Sequence, residues 1–281
     1  MFNKKRLVAI LTGTLLVGSL VGCSAGGASN SGSGSSDSSK ITISGSTSVG
    51  PTMEILAEDY QKANKGTTIE VQQVGSSAGI TNTIDGTSQI GMSSRDLKDE
   101  EKSELKEYQI AIDGIAVITN SANKVKDLTL QQVKDIYTGK ITNWKEVGGA
   151  DAEIVVVSRE DGSGTRDGFQ EIVGFESKDL TSNAQISDGS GNIKTTVQGN
   201  ENAIGYISFG YLDDSINAVK IGGVEPKEEN VYNDKYPISR PFLLVTKGEA
   251  SGDAKSFIDY VLSDAGQKTI EKQGFMSVNQ K

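Results

Sequence analysis

The sequence predicts an α/β fold with helices on both faces of a sheet, and three observations carry that prediction. Short alternating apolar runs repeatedly precede stretches of helical periodicity from Lys40 onward. Three Gly- and Ser-rich segments each follow a strand pattern and open a helical one. The stretch from Lys40 to Lys281 is long enough for two modest domains or one large one, and it carries no repeat of fixed period.

In order, Lys40 to Ser44 reads as a strand, and Pro51 to Asn64 as a helix with Pro51 at its first position and Met53, Leu56, Tyr60 and Ala63 on one face. Thr68 to Val74 is the next strand, followed by a short helix from Ala78 to Ile84. Gln89 to Met92, an acidic and lysine-rich helix near Leu97 to Glu107, and a long apolar strand from Gln109 to Thr119 continue the alternation. Thr129 reads as an N-cap with Gln132 completing a capping box, and Leu130, Val133, Ile136 and Tyr137 form the buried stripe behind it. Glu153 to Ser158 is a β-branched strand, Gly168 to Val173 lies in a helix, and Ala203 to Phe209 and Arg240 to Thr246 are further strands. Ala254 to Gln273 closes the chain as one amphipathic helix.

The ends and the composition narrow the setting. Met1 to Arg6 is basic and Leu7 to Val21 is an apolar run broken by Thr and Gly, so residues 1–22 read as a secretory signal peptide, too short and wrongly flanked for a membrane span. It runs into Leu20-Val21-Gly22-Cys23, which resembles the bacterial lipobox, and Cys23 is the only cysteine. Lipidation at Cys23 would tether the protein to a membrane without a spanning helix. Residues 23–39, the cysteine and a run of Ser, Gly, Ala, Asn and Asp, cannot bury a core and read as a flexible tether. The net charge of −9 becomes −12 without Lys4, Lys5 and Arg6, which argues against nucleic-acid binding.

Gly75-Ser76-Ser77-Ala78-Gly79 matches G-x-S-x-G, which would make Ser77 a nucleophile. That hydroxyl needs a base, and the chain has no histidine. Ser121-Ala122-Asn123-Lys124 matches S-x-x-K, but no S-D-N or K-T-G accompanies it. No P-loop pattern is present, and Asp99, Glu100, Glu101 and Glu104 lack a metal-loop spacing, so no cofactor or metal is called for.

The loop just named is one of three, with Ser44-Gly45-Ser46-Thr47-Ser48 and Asp161-Gly162-Ser163-Gly164-Thr165. A helix N-terminus leaves backbone N–H groups unpaired and carries partial positive charge, small residues let an anion approach, and hydroxyls add donors. Taken singly, each loop reads as a cap or a turn. Three of them at strand ends point to one ligand, because α/β sheets gather ligands outside the carboxyl ends of their strands.

These loops, together with Ile136-Tyr137-Thr138-Gly139-Lys140-Ile141-Thr142-Asn143-Trp144, Arg159-Glu160-Asp161-Gly162-Ser163-Gly164-Thr165-Arg166 and Ala203-Ile204-Gly205-Tyr206, closely resemble the phosphate-binding proteins of bacterial ABC phosphate importers. The resemblance runs in order from Lys40 to the C-terminus. It implies a two-lobed periplasmic-binding-protein-like fold with two crossing strands, near Ile115 to Thr119 and Arg240 to Val245, and a ligand cleft between the lobes. One lobe would combine residues 40–114 with 241–281, and the other would be residues 115–240. It implies an extracytoplasmic, lipid-anchored receptor that captures inorganic phosphate and passes it to ABC permease subunits, with no catalysis.

Residue by residue, the resemblance places Thr47 and Ser48 in the first phosphate loop and Ser76 in the second, with Ser77 beside it giving an amide or a cap. Arg159 would be the charged donor, Ser163, Gly164 and Thr165 would supply hydroxyls and amides, and Asp161 would pair with Arg159 and hold its fork. Where many relatives carry an aspartate that accepts the phosphate proton, this chain aligns Ser94. Either Ser94 takes that proton through its lone pair, a carboxylate such as Asp96 does, or discrimination against sulfate is weaker, and Ser94 keeps open a receptor for another tetrahedral oxyanion such as sulfate. Arg95 reads equally as a second cation or a solvated arginine, Arg166 as an anion contact or the partner of an acidic neighbour, and Trp144 as packing at a lobe edge.

Overall fold

A computed structural model describes residues 39–280; the signal peptide, Cys23 and the tether up to Ser38 lie outside the described residues. The chain runs β1 (Ser39–Gly45), α1 (Gly50–Ala63), β2 (Thr67–Gln73), α2 (Ser76–Ile84), β3 (Ile90–Ser93), α3 (Asp99–Lys102), β4 (Leu105–Asn120), β5 (Asp127–Leu128) and α4 (Leu130–Tyr137). It continues with β6 (Val155–Arg159), α5 (Gly164–Val173), β7 (Gln185–Ser187), α6 (Ser190–Gln198), β8 (Ala203–Ser208), β9 (Ile216–Ala218), β10 (Lys220–Ile221) and α7 (Glu228–Tyr232). β11 (Ser239–Lys247), α8 (Gly252–Leu262), α9 (Asp264–Lys272) and β12 (Met276–Ser277) complete it.

Alternation in β1 buries Ile41 and Ile43 while the strand pairs in parallel with β2 on one side and β3 on the other. The apolar stripe of α1 is Met53, Leu56 and Ala57, with Tyr60 edge-on to Phe257 of α8; Ala63, expected on that stripe, is exposed where the helix runs out into solvent. Thr129 caps α4 with the reciprocal Gln132 contacts that the sequence predicts.

Two elements depart from expectation. The helix expected over Leu97 to Glu107 shrinks to α3, because the chain from Leu105 is claimed by β11. That pairing runs from Leu105 opposite Lys247 to Gly114 opposite Ser239, and Leu105 packs with Ile80, Leu97, Leu243 and Val245. Cross-strand pairing and burial outweigh local helix propensity here. The single C-terminal helix is two, because Ser263 is extended and ends α8 while its Oγ caps α9 at the amide of Gly266. The turn needs a glycine there, since a Cβ on Gly266 would lie 2.4 Å from the carbonyl oxygen of Tyr260.

The spatial strand order is β2-β1-β3-β11-β4-β8-β6-β7, and β4 is the element that makes two lobes of it. Up to Gly114 it pairs with β11; from Ile115 it pairs antiparallel with β8 instead. One apolar cluster gathers Ile41, Met53, Leu56, Ile110, Phe242 and Phe257, and a second gathers Ile115, Val117, Tyr137, Phe169, Tyr206 and Ile238. Met276, on β12, packs with the second cluster although the preceding helices pack with the first. β4 and β11 therefore pass between the two cores, and at the crossing Asp113 lies opposite Arg240.

Candidate functional site

The carboxyl ends of β1, β2, β6 and β7 each turn straight into a helix, and the four helices α1, α2, α5 and α6 begin around one buried cluster of hydroxyls. From the first lobe come Ser48, Ser76 and Ser94, each 1% exposed or less, with Thr47 half-buried beside them. From the second come Arg159, Ser163, Thr165 and Ser190, each 2% exposed or less.

The contacts cross from lobe to lobe. Ser48 Oγ lies 2.9 Å from Thr165 Oγ1 and 3.1 Å from Ser190 Oγ. Arg159 donates through Nη2 to Thr47 Oγ1 and through Nη1 to Ser190 Oγ, both at 3.1 Å. The Ser190 amide also donates to Thr47 Oγ1, and the Tyr211 hydroxyl donates to the Thr47 carbonyl at 2.7 Å. Ser94 donates its amide to Ser76 Oγ at 3.2 Å, and the two hydroxyls lie 3.3 Å apart. Gly164 sits so close to both that a Cβ there would meet Ser76 Oγ at 2.3 Å and Ser94 Oγ at 2.8 Å. Within this cluster the lobes meet through neutral hydroxyls and the Arg159 guanidinium.

That guanidinium is gripped by a carboxylate, but not the expected one. Glu160 receives Arg159 Nε at 2.7 Å and Nη2 at 2.6 Å, a two-pronged pairing that fixes the fork. Burial works to raise the Glu160 carboxyl, but the hydrogen bonds and charge of Arg159 prevail and hold it below its ordinary value. Glu160 also accepts the Gly189 amide at 3.2 Å, tying the loop before α5 to the loop before α6. Asp161, expected to hold Arg159, is 91% exposed and pairs with Arg166 at 2.7 Å instead. The reason is local: Arg159 ends buried β6 facing the cleft, and by Asp161 the chain has turned out into solvent. Arg166, on α5, reaches back to the Arg159 carbonyl at 3.0 Å, so it supports the loop through its acidic neighbour.

Other expected residues, in or beside the cluster, spend their polar groups elsewhere. Ser77 spends its amide on the Gly162 carbonyl at 3.1 Å, and its hydroxyl accepts from Arg95 Nη2 at 3.4 Å. Among the described residues no base partners it, and the G-x-S-x-G segment bridges two loops. Ser163 caps α5, its Oγ accepting the Arg166 amide. Arg95 is 4% exposed, clamped by both oxygens of Glu101 and 3.0 Å from Asp167 in the other lobe, so it is neither a solvated arginine nor a member of the hydroxyl cluster. Asp96 is exposed. Trp144 is buried with its Nε1 donating to the Asn202 carbonyl, and Tyr206 receives the Arg159 amide on its hydroxyl while stacking on Phe169 at 4.0 Å.

Sequence reasoning missed Ser190, Glu160 and the Asp113–Arg240 pair. For Ser190 the signal was present, because Asp188-Gly189-Ser190-Gly191 repeats the letters of Asp161-Gly162-Ser163-Gly164 and follows a strand into a helix in the same way.

Residues 25–265 match the family model described as the PBP superfamily domain. The chain is 38% identical to the phosphate-binding protein PstS of Bacillus subtilis over 248 residues, 86% of this chain and 81% of that one. Among solved structures, a Clostridium perfringens substrate-binding protein assigned to phosphate ABC transport, crystallised with bound phosphate, is 63% identical with a TM-score of 0.84 and covers 85% of this chain and 99% of its own. An ABC-type phosphate transport receptor from Vibrio cholerae is 39% identical with a TM-score of 0.73, covering 85% of this chain and 100% of its own.

Proposed function

The chain belongs to the phosphate-binding proteins of bacterial ABC phosphate importers, and from that premise we propose that it holds inorganic phosphate between its lobes at the Arg159 cluster. The observation that carries this reading is the direction of the hydrogen bonds. Thr47, Ser48 and Ser190 each accept from an N–H, which leaves their O–H groups as donors that meet one another in the closed cleft and would turn to an acceptor-rich ligand between them. Several such donors, aimed in advance and backed by a guanidinium, replace the hydration shell of an anion.

The lobes, residues 40–114 with 241–281 and residues 115–240, would close about β4 and β11, and anion binding would favour closure because only then do both lobes donate. Binding needs no bond making, and the receptor reading leaves Ser77 without a chemical role. Lipidation of Cys23 would hold the protein outside the cytoplasmic membrane beside the permease subunits it serves.

Ser94 is the residue we assign to the proton of monohydrogen phosphate. Among the described residues its Oγ meets only Ser76 Oγ, so a lone pair can accept P–O–H while its own O–H donates to Ser76 Oγ. Sulfate brings no such proton, so it would gain one bond fewer and is discriminated by hydrogen bonding alone, without a repelling carboxylate. Calorimetric titration of the anion-stripped soluble form with phosphate, sulfate and arsenate tests this. Tight phosphate binding that sulfate does not match supports the reading; equal or better sulfate binding transfers it to another tetrahedral oxyanion, and heat from neither ends it.

A further inference from the structure

At the crossing of the two hinge strands lies another buried arginine, whose own part in the site is still unassigned. Arg240 is 4% exposed and its strand partner Asp113 is 0% exposed. Nε and Nη2 of Arg240 both donate to Asp113 Oδ2, at 3.1 and 2.9 Å, while Asp113 Oδ1 accepts the Phe209 amide from the second lobe at 3.2 Å. The rest of the fork faces the first lobe, with Nη1 donating to the Ser94 carbonyl and Nη2 to Ser48 Oγ, both at 3.1 Å.

An ion pair in such a place is weak as a stabiliser, since well-packed apolar residues would serve as well or better. Its reach offers another account. By filling one lone pair of Ser48 Oγ, Arg240 biases that hydroxyl toward donating its hydrogen, and through the Ser94 carbonyl the same group holds the chain just after β3, where Ser94 of the second hydroxyl pair sits.

We propose that Arg240, held in place by Asp113, is a positioning residue of the anion site that acts through Ser48 and links the hinge crossing to the donor set. The proposal rests on the phosphate-receptor reading. It gives the site a second cation at its base, balanced by its own carboxylate as Arg159 is by Glu160. Burial tends to loosen the proton of Arg240, nearby Arg159 adding to that, and the Asp113 carboxylate opposes both.

A double-mutant cycle in the full soluble chain tests it, with Arg240→Gln, Ser48→Ala and the pair titrated with phosphate and thermal unfolding run beside each. The expected result is at least a tenfold loss of phosphate affinity from either single change and less than a further twofold from combining them, because both remove the same donor. A purely structural arginine would lower the unfolding temperature and leave the two affinity losses to multiply. If Arg240→Gln does not fold, Arg240→Lys, which keeps the charge beside Asp113 and gives up the planar fork, is read through the same cycle. Unchanged affinity in the Arg240 variant that folds, or losses that multiply, overturns the inference while wild-type binding leaves the receptor reading intact. Failure of the wild type to bind phosphate overturns both.

Discussion

The two sides of the cleft are built differently. The first lobe offers Thr47, Ser48, Ser76 and Ser94, all neutral, on loops whose amides and hydroxyls bond to one another and to the opposite side. The second lobe offers Arg159 with its own counter-charge Glu160, and surrounds it with Ser163, Thr165 and Ser190 at two helix starts. A neutral surface loses little on being opened to water, whereas a buried guanidinium needs a fixed partner in every state, and Glu160 supplies one from within the same loop. The difference teaches a division of labour. The charged side can attract an anion while the lobes are apart, and the neutral side reads it by hydrogen bonding as they close.

Breaking the charged side should cost most. Arg159→Ala removes the cation and leaves a half-buried Glu160 without its partner beside a neutral site, and phosphate affinity should fall about a hundredfold or more by calorimetry. A loss of only a few-fold would mean that neutral donors suffice.

The interface between the sides is next. Gly164→Ala places a methyl within 2.3 Å of Ser76 Oγ, so closing the lobes should cost about 1–3 kcal/mol and phosphate affinity should drop roughly tenfold. A variant binding as tightly as the wild type would show that the lobes need not approach this closely. On the neutral side, Ser94→Ala should reduce phosphate affinity several-fold and leave sulfate affinity nearly unchanged, narrowing the ratio between them. A parallel fall for both anions would remove Ser94 as the proton acceptor.

The counter-charge gives a test by pH. Because Arg159 holds the Glu160 carboxyl below its unfolded value against burial, its stabilising effect is fully present above the unfolded pKa and is lost as pH falls through the folded one. The unfolding-temperature gap between wild type and Glu160→Gln should be flat around neutral pH and close in acid; a gap that widens in acid would reverse the sign of the coupling. Asp161→Ala, by contrast, alters an exposed carboxylate and should change phosphate affinity less than twofold in the same titration.

Those last two residues show where the sequence was legible. The strand-to-helix loops could be read because Gly, Ser and helix starts are local signals, and Thr47, Ser48, Ser76, Ser94, Arg159, Gly164 and Thr165 do come together. Which of two adjacent acids faces Arg159 depends on how the chain leaves β6, and nothing in Glu160-Asp161 announces that. Asp113 and Arg240 are 127 residues apart and read only as members of apolar strands; strand register makes them a pair. The short α3 and the split before α9 were likewise set by pairing and packing rather than by periodicity.

The measurement that bears most directly on the division of labour is small-angle X-ray scattering of the anion-stripped soluble form, with and without saturating phosphate, for wild type and for Ser48→Ala. The account predicts that phosphate contracts the wild type, and that the variant, with Arg159 intact, binds more weakly and contracts less even at saturation. Full contraction of the Ser48→Ala protein, or a wild type whose dimensions do not respond to phosphate, would contradict it.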